Sequence, residues 1–143
     1  MSGLAMFLKK NKIQKQNTKY AATKSLCGTD GKPLEWEIRA ISTSENEKLR
    51  EECTIEVPVT GKPNVFRPKV LSSKYIAKMI AASVVFPDLH DAELQDSYGV
   101  ACPEDLIVEM VDDPVEYNDL ATFIQQYSGL ETTMKERIEE AKN

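Results

Sequence analysis

The hydrophobic pattern changes character along the chain, and each change marks an element. Residues 75–86, YIAKMIAASVVF, hold only Lys78 and Ser83 as strongly polar side chains, so a helix built on them is apolar almost all round and must be buried. About residues 73–86 are therefore expected to form the central helix. Pro87 has no N–H for the helical ladder and drives Phe86 out of the α region, so the helix should stop there. Upstream, Leu34, Trp36, Ile38 and Ala40 alternate with Glu35, Glu37 and Arg39, the two-residue period of a half-buried strand. A shorter run over residues 19–26 precedes it, and Asp30-Gly31 between them supplies the positive φ of a tight turn. A β-hairpin over about residues 19–41 follows, with Trp36 turned to the helices. A lone hairpin is marginal in water, so it must pack on the helical part or recruit strands from another subunit.

The remaining segments carry helix punctuation. Ser42 and Glu45 stand three apart as a capping box, and the charged helix they open runs to about Cys53 with only Leu49 and Cys53 to bury. Residues 54–59 allow a further β segment, whereas Pro58, Pro63 and Pro68 with Gly61 give residues 58–68 the composition of an exposed loop. Residues 91–98 form a short helix stopped by Gly99. Pro103 opens another, with Leu106, Ile107, Met110 and Val111 as its apolar stripe. Asp113, Pro114 and Glu116 then combine an N-cap, a first-turn proline and a capping-box acid, ahead of Tyr117, Leu120, Ala121, Ile124 and Tyr127 on one face and Gly129 as the stop. Residues 131–142 make a weakly amphipathic last helix held by Met134 and Ile138. The first 18 residues are polar and lysine-rich without a sustained period, and are expected to be a mobile basic arm. The expectation is an α+β fold: residues 1–18 as the arm, and residues 19–143 as one domain in which the hairpin packs on a mostly helical body with acidic C-terminal helices.

Charge divides the chain where the apolar run ends. Residues 1–87 carry 15 Lys and Arg against 8 Asp and Glu, and residues 88–143 carry 3 against 15. Such a dipolar chain can attract copies of itself or offer its acidic half to a basic partner, in a salt-dependent way. The lysines of the arm lack the arginine and aromatic interleaving of a nucleic-acid surface, so they point to a solvated tail and no nucleic-acid partner. The three cysteines are far apart with no C-x-x-C pair, which argues against a disulfide framework and a zinc site and fits a reducing cytoplasm. The apolar part of MSGLAMFLKK is too short for a signal peptide, and no run reaches the ~20 apolar residues of a membrane helix, so no membrane partner is expected.

Catalytic chemistry finds little to work with. His90 is the one histidine, flanked by Asp88 and Asp91, and nothing near Cys102 resembles a nucleophile elbow or a papain-type signature. Asp88, Asp91, Glu93 and Asp96 do not have the spacing of an EF-hand loop, and glycine-rich phosphate loops are absent from the sequence. No cofactor, metal or catalytic residue is expected. Apolar stripes are first of all core, but their excess in a small chain leaves room for a helix-binding or self-association surface.

Two segments, DGKPLEWEIRA at residues 30–40 and AASVVFPDLHDAELQDSYGV at residues 81–100, make the chain resemble the XkdN-like family of phage tail assembly chaperones of Gram-positive phages and PBSX-type prophages. The order of elements is also similar. The resemblance implies a non-enzymatic protein that binds the long, helical tape measure protein and keeps it soluble until tail tube protein polymerises around it. It further implies many copies, residence in the host cytoplasm and absence from the mature virion; self-association is expected through the hairpin edge or the opposite charges of the two halves. The acidic C-terminal helices would meet the partner, with Leu106, Ile107, Met110, Tyr117, Leu120 and Ile124 as the contact residues. Two other roles fit the same sequence: a minor structural subunit of the tail, and an acidic regulator that mimics nucleic acid, against which the basic first half speaks.

Overall fold

The computed structural model describes residues 3–130; the expected last helix at residues 131–142 lies outside them. Two short 3-10 turns, Gly3–Phe7 and Lys9–Asn11, open the chain. The following stretch is tied to the body at its far end, where the Lys15 ammonium donates to the Tyr127 carbonyl and the Tyr127 hydroxyl to the Gln16 carbonyl.

The hairpin exists but is shorter and more open than the pattern indicates. Strand β1 (Thr18–Tyr20) pairs antiparallel with β2 (Trp36–Ile38), and the chain between them leaves the sheet. The expected turn forms inside that excursion. Gly31 has φ +80°, Gly28 N–H donates to the Lys32 carbonyl at 2.9 Å, and Cys27 bridges Pro33. Trp36 is buried as expected, and Ile38 is fully enclosed.

The central helix ends three residues earlier than its apolar run. Helix α2 spans Ser72–Ser83, and Val84–Phe86 form strand β5, which pairs antiparallel with the far edge of β2. The reason is non-local. Two β-branched valines and a phenylalanine favour extended backbone, and β2 has an edge to fill. Ser83 makes the switch: its hydroxyl donates to the Arg39 carbonyl and its own carbonyl accepts from Arg39 N–H at 2.9 Å. The third strand that the hairpin needs thus comes from the same chain. The Phe86–Pro87 peptide bond is cis.

Helix α1 (Thr43–Glu52) begins with the expected capping box, in which Ser42 accepts from Glu45 N–H and Glu45 reaches back to Ser42 N–H. It also buries Asn46, whose side-chain oxygen accepts from the Tyr75 hydroxyl of α2.

The proline-rich segment is a two-stranded ribbon, not a loop. Strand β3 (Thr54–Pro58) pairs with β4 (Phe66–Val70), and the turn uses Gly61 at φ +78° and Asn64 at φ +64°. Val59 N–H donates to the Val65 carbonyl at 2.9 Å, so by alternation the Pro58↔Phe66 and Glu56↔Pro68 positions are the non-hydrogen-bonded pairs of the ladder. Both prolines fall where no ladder N–H is needed, which is why the ribbon tolerates them.

Helices α3 (Ala92–Ser97), α4 (Pro103–Met110) and α5 (Pro114–Ser128) follow; Asp91 and Asp113 cap α3 and α5, which end at Gly99 and Gly129, while α4 opens on Pro103 without a side-chain cap. Helix α2 lies between α1, α4 and α5 and next to β5, so the core is built around Met79 and Ile80. One expected capping box is absent. Asp113 caps α5 alone, while the Glu116 carboxylate accepts from Thr23 Oγ1 at 2.7 Å and from Lys24 N–H at 2.8 Å, binding the loop after β1 to α5. Glu116→Ala is expected to cost about 1–2 kcal/mol through these charge-assisted bonds, read as a lower urea midpoint with unchanged m-value.

Arg39 and Glu45 add a pH-dependent tie between the sheet and α1. The guanidinium donates to the carboxylate from Nη1 at 2.9 Å and Nη2 at 2.5 Å, which holds the Glu45 carboxyl at about 2. A carboxyl whose pKa is lowered by folding stabilises the fold above its unfolded pKa, and that contribution disappears as pH falls from about 4.5 towards about 2. Both side chains are more than a third accessible, so solvent screening limits the loss to about 1 kcal/mol. Thermal melts of Glu45→Gln and the parent chain should differ near neutral pH and converge at the acid end of this window.

Candidate partner-binding site

Three helices leave an apolar groove open to solvent. Ser73, Ile76 and Ala77 of α2, Val108 of α4 with Val111 and Asp112, and Pro114, Tyr117 and Asn118 of α5 line about 430 Å³. Its shape follows from the helix punctuation. Asp113 caps α5 immediately after α4 ends, so the two helices diverge from a tight corner and cannot cover α2 along its length. Ala77 and Val111 form the floor, Ile76 and Tyr117 are half-buried, and Val108 remains 46% exposed. Burial pushes the Tyr117 hydroxyl above its ordinary pKa, so it stays neutral and can donate a hydrogen bond over the working pH range.

The α4 and α5 sides are acidic. Residues 79–130 contain eleven Asp and Glu and no lysine or arginine, whereas α2 contributes Lys74 and Lys78, the latter paired with Glu52 and Glu104. Asp112 stands at the groove, and Asp105 lies on the stripe of α4 that includes Val108, three residues along. A second hollow of about 450 Å³ lies across α5, where Asp113, Glu116 and Asp119 face Tyr20, Ala22 and Lys24. Burial raises the Tyr20 hydroxyl there, with the charges of Asp119 and Glu116 adding to the shift.

The six residues singled out in the sequence are brought together, but mostly on the inside. Leu106, Ile107, Leu120 and Ile124 are completely enclosed, Met110 is nearly so, and Tyr117 alone reaches the groove. In this conformation the other five hold α4 and α5 to α2. Ile76, Val108 and Pro114 are the groove residues that stripe analysis passes over. Val108 carried the available signal, being an apolar residue off the main stripe of an otherwise acidic helix. Among the described residues, no cluster of three or more His, Cys, Asp or Glu is placed to hold a metal ion. His90 is exposed, Cys53 is buried with its thiol pushed up by desolvation, and all three cysteines are free.

Comparison with known proteins agrees with this architecture. A profile of the phage XkdN-like tail assembly chaperone family matches residues 4–142. The chain belongs to that family. It is 23% identical over 140 residues to the phage-like element PBSX protein XkdN of Bacillus subtilis (strain 168), covering 98% of this chain and 93% of the relative. It is 21% identical over the same length to the protein YqbN of that strain, with the same coverage. The crystal structure of YqbN shares the fold, with a TM-score of 0.72 at 17% identity over 90% of this chain and 98% of that one. The family is one of assembly chaperones for phage tails, not of enzymes. Among the described residues no helix is long and apolar enough to cross a membrane.

Proposed function

We propose that this protein binds the tape measure protein of its phage or prophage and keeps it soluble while the tail is assembled. The observation that carries this reading is the apolar groove of α2, α4 and α5, whose α4 and α5 sides carry acids and no lysine or arginine. An amphipathic helix can lay apolar side chains at i, i+3 or i+4 and i+7 into such a groove, while lysines on its flanks meet Asp105 and Asp112. The groove is short, so affinity per copy is modest, and coverage of a long client depends on many copies bound along it. Modest affinity also suits a chaperone that tail tube protein must displace. The protein acts without catalysis, in the host cytoplasm, and is absent from the finished particle.

Co-expression with the tape measure protein of the same prophage tests this. The expected result is a soluble complex that survives size exclusion, and mass spectrometry of purified tails should find no stoichiometric amount of this chain. A client that stays insoluble, with no complex on the column, sinks the proposal. Abundant peptides in finished tails would instead make the protein a structural subunit.

A further inference from the structure

The β3–β4 ribbon projects with little packing of its own. Residues 61–69 are all exposed, and of β4 only Val70 is partly covered. An isolated two-stranded ribbon is marginal in water, and this one shows solvent large apolar groups, with Phe66 58% and Ile55 43% accessible. Its pairing decides which side chains share a face. Ile55↔Lys69 and Val57↔Arg67 lie opposite each other at alternate positions, so one face carries an apolar strip from β3 beside a basic strip from β4. Among the described residues, neither Arg67 nor Lys69 has an ion-pair partner.

This face is the chemical complement of the α4 and α5 sides of the groove, where Val108, Val111 and Tyr117 are apolar, Asp112 is in the lining and Asp105 lies one helical turn from Val108. The ribbon leads into the first turn of α2, and its tip is exposed. We infer that the ribbon of one copy docks on the acidic groove of a second copy. Ile55 and Val57 cover Val108 and Tyr117, and Arg67 and Lys69 meet the two aspartates. The contact joins different surfaces of identical chains, so it propagates as an open chain or closes as a ring. It rests on the reading of the groove as a docking surface, and it makes self-association and client binding compete for one place.

Sedimentation velocity across protein concentration and salt tests the inference. Association should be evident at low salt and weaken as the Debye length falls from about 10 Å at 0.1 M to about 3 Å at 1 M. Arg67→Glu with Lys69→Glu, and separately Asp105→Lys with Asp112→Lys, should each weaken association at least tenfold. Because the first variant keeps its acidic groove and the second its basic ribbon, and the two reversed surfaces are again complementary to each other, an equimolar mixture should regain association that continues beyond a dimer, which also shows that both variants are folded. A parent chain that stays monomeric at low salt, variants that associate as the parent does, or a mixture that remains monomeric would each overturn the inference. The ribbon variant also separates this inference from the function proposed above. Loss of self-association with client binding retained supports both. Loss of self-association without client binding leaves the docking contact standing and the client reading fallen.

Discussion

Leu120→Ala is expected to destabilise the protein by about 2–5 kcal/mol while leaving the affinity of the folded fraction for its partner unchanged. Leu120 is fully enclosed, in one cluster with Met79, Ile80, Leu106, Ile107 and Ile124. Truncation there removes apolar contacts from both α2 and α5 and leaves a cavity that the short α4–α5 corner cannot collapse. A domain of this size has about 5–15 kcal/mol to lose, so the variant remains mostly folded at low temperature and its melting temperature falls on the order of 10 °C. Calorimetry measures the first effect, and titration of a client peptide well below the melting transition measures the second. A drop in client affinity in that regime would return Leu120 to the contact surface that its stripe suggests. A loss of stability below about 1 kcal/mol would contradict its place in the core.

What was legible in the sequence is what depends on neighbours along the chain. Ser42 with Glu45, Asp91, Asp113, Gly99 and Gly129 act within a turn of themselves, and each stands where its helix begins or ends. What was not legible depends on distant pairing. Nothing between residues 75 and 86 tells Ser83 to leave the helix; the open edge of β2, over forty residues upstream, does that. Pro58 and Pro68 suggest a loop because strand interiors usually need their N–H groups, and only the register of β3 on β4 shows that neither is needed. Glu116 has the position of a capping-box acid but serves Thr23 and Lys24 instead. The burial of most candidate contact residues has a related reason. The strongest apolar stripe on a small helix is the side its own fold consumes, so Leu106, Ile107 and Leu120 lie in the core, and Val108, off the stripe of α4, is left exposed.

That logic makes Val108→Lys the sharpest probe of the groove. Val108 is 46% exposed on the solvent side of α4, and a helical surface position of this kind tolerates lysine within about 0.5 kcal/mol. The new ammonium also joins a helix whose own charges are Glu104, Asp105 and Glu109, with Lys78 of α2 already 3.7 Å from Glu104, so local electrostatics tolerate it in the free protein. Bound to a client, the same substitution acts the opposite way. It withdraws an apolar side chain whose burial is worth about 1.5 kcal/mol or more, it requires the ammonium to be desolvated, and it places positive charge where a basic helix must approach. The combined effect is at least about 1.4 kcal/mol, or a tenfold weaker complex, with thermal stability at or slightly above that of the parent. Calorimetric titration with an amphipathic tape measure peptide, beside a melt of each variant, separates these terms. Weaker binding at unchanged stability places the partner on the groove. Unchanged binding would move it elsewhere on the acidic half, with the hollow between Tyr20 and Asp119 as the next surface to probe.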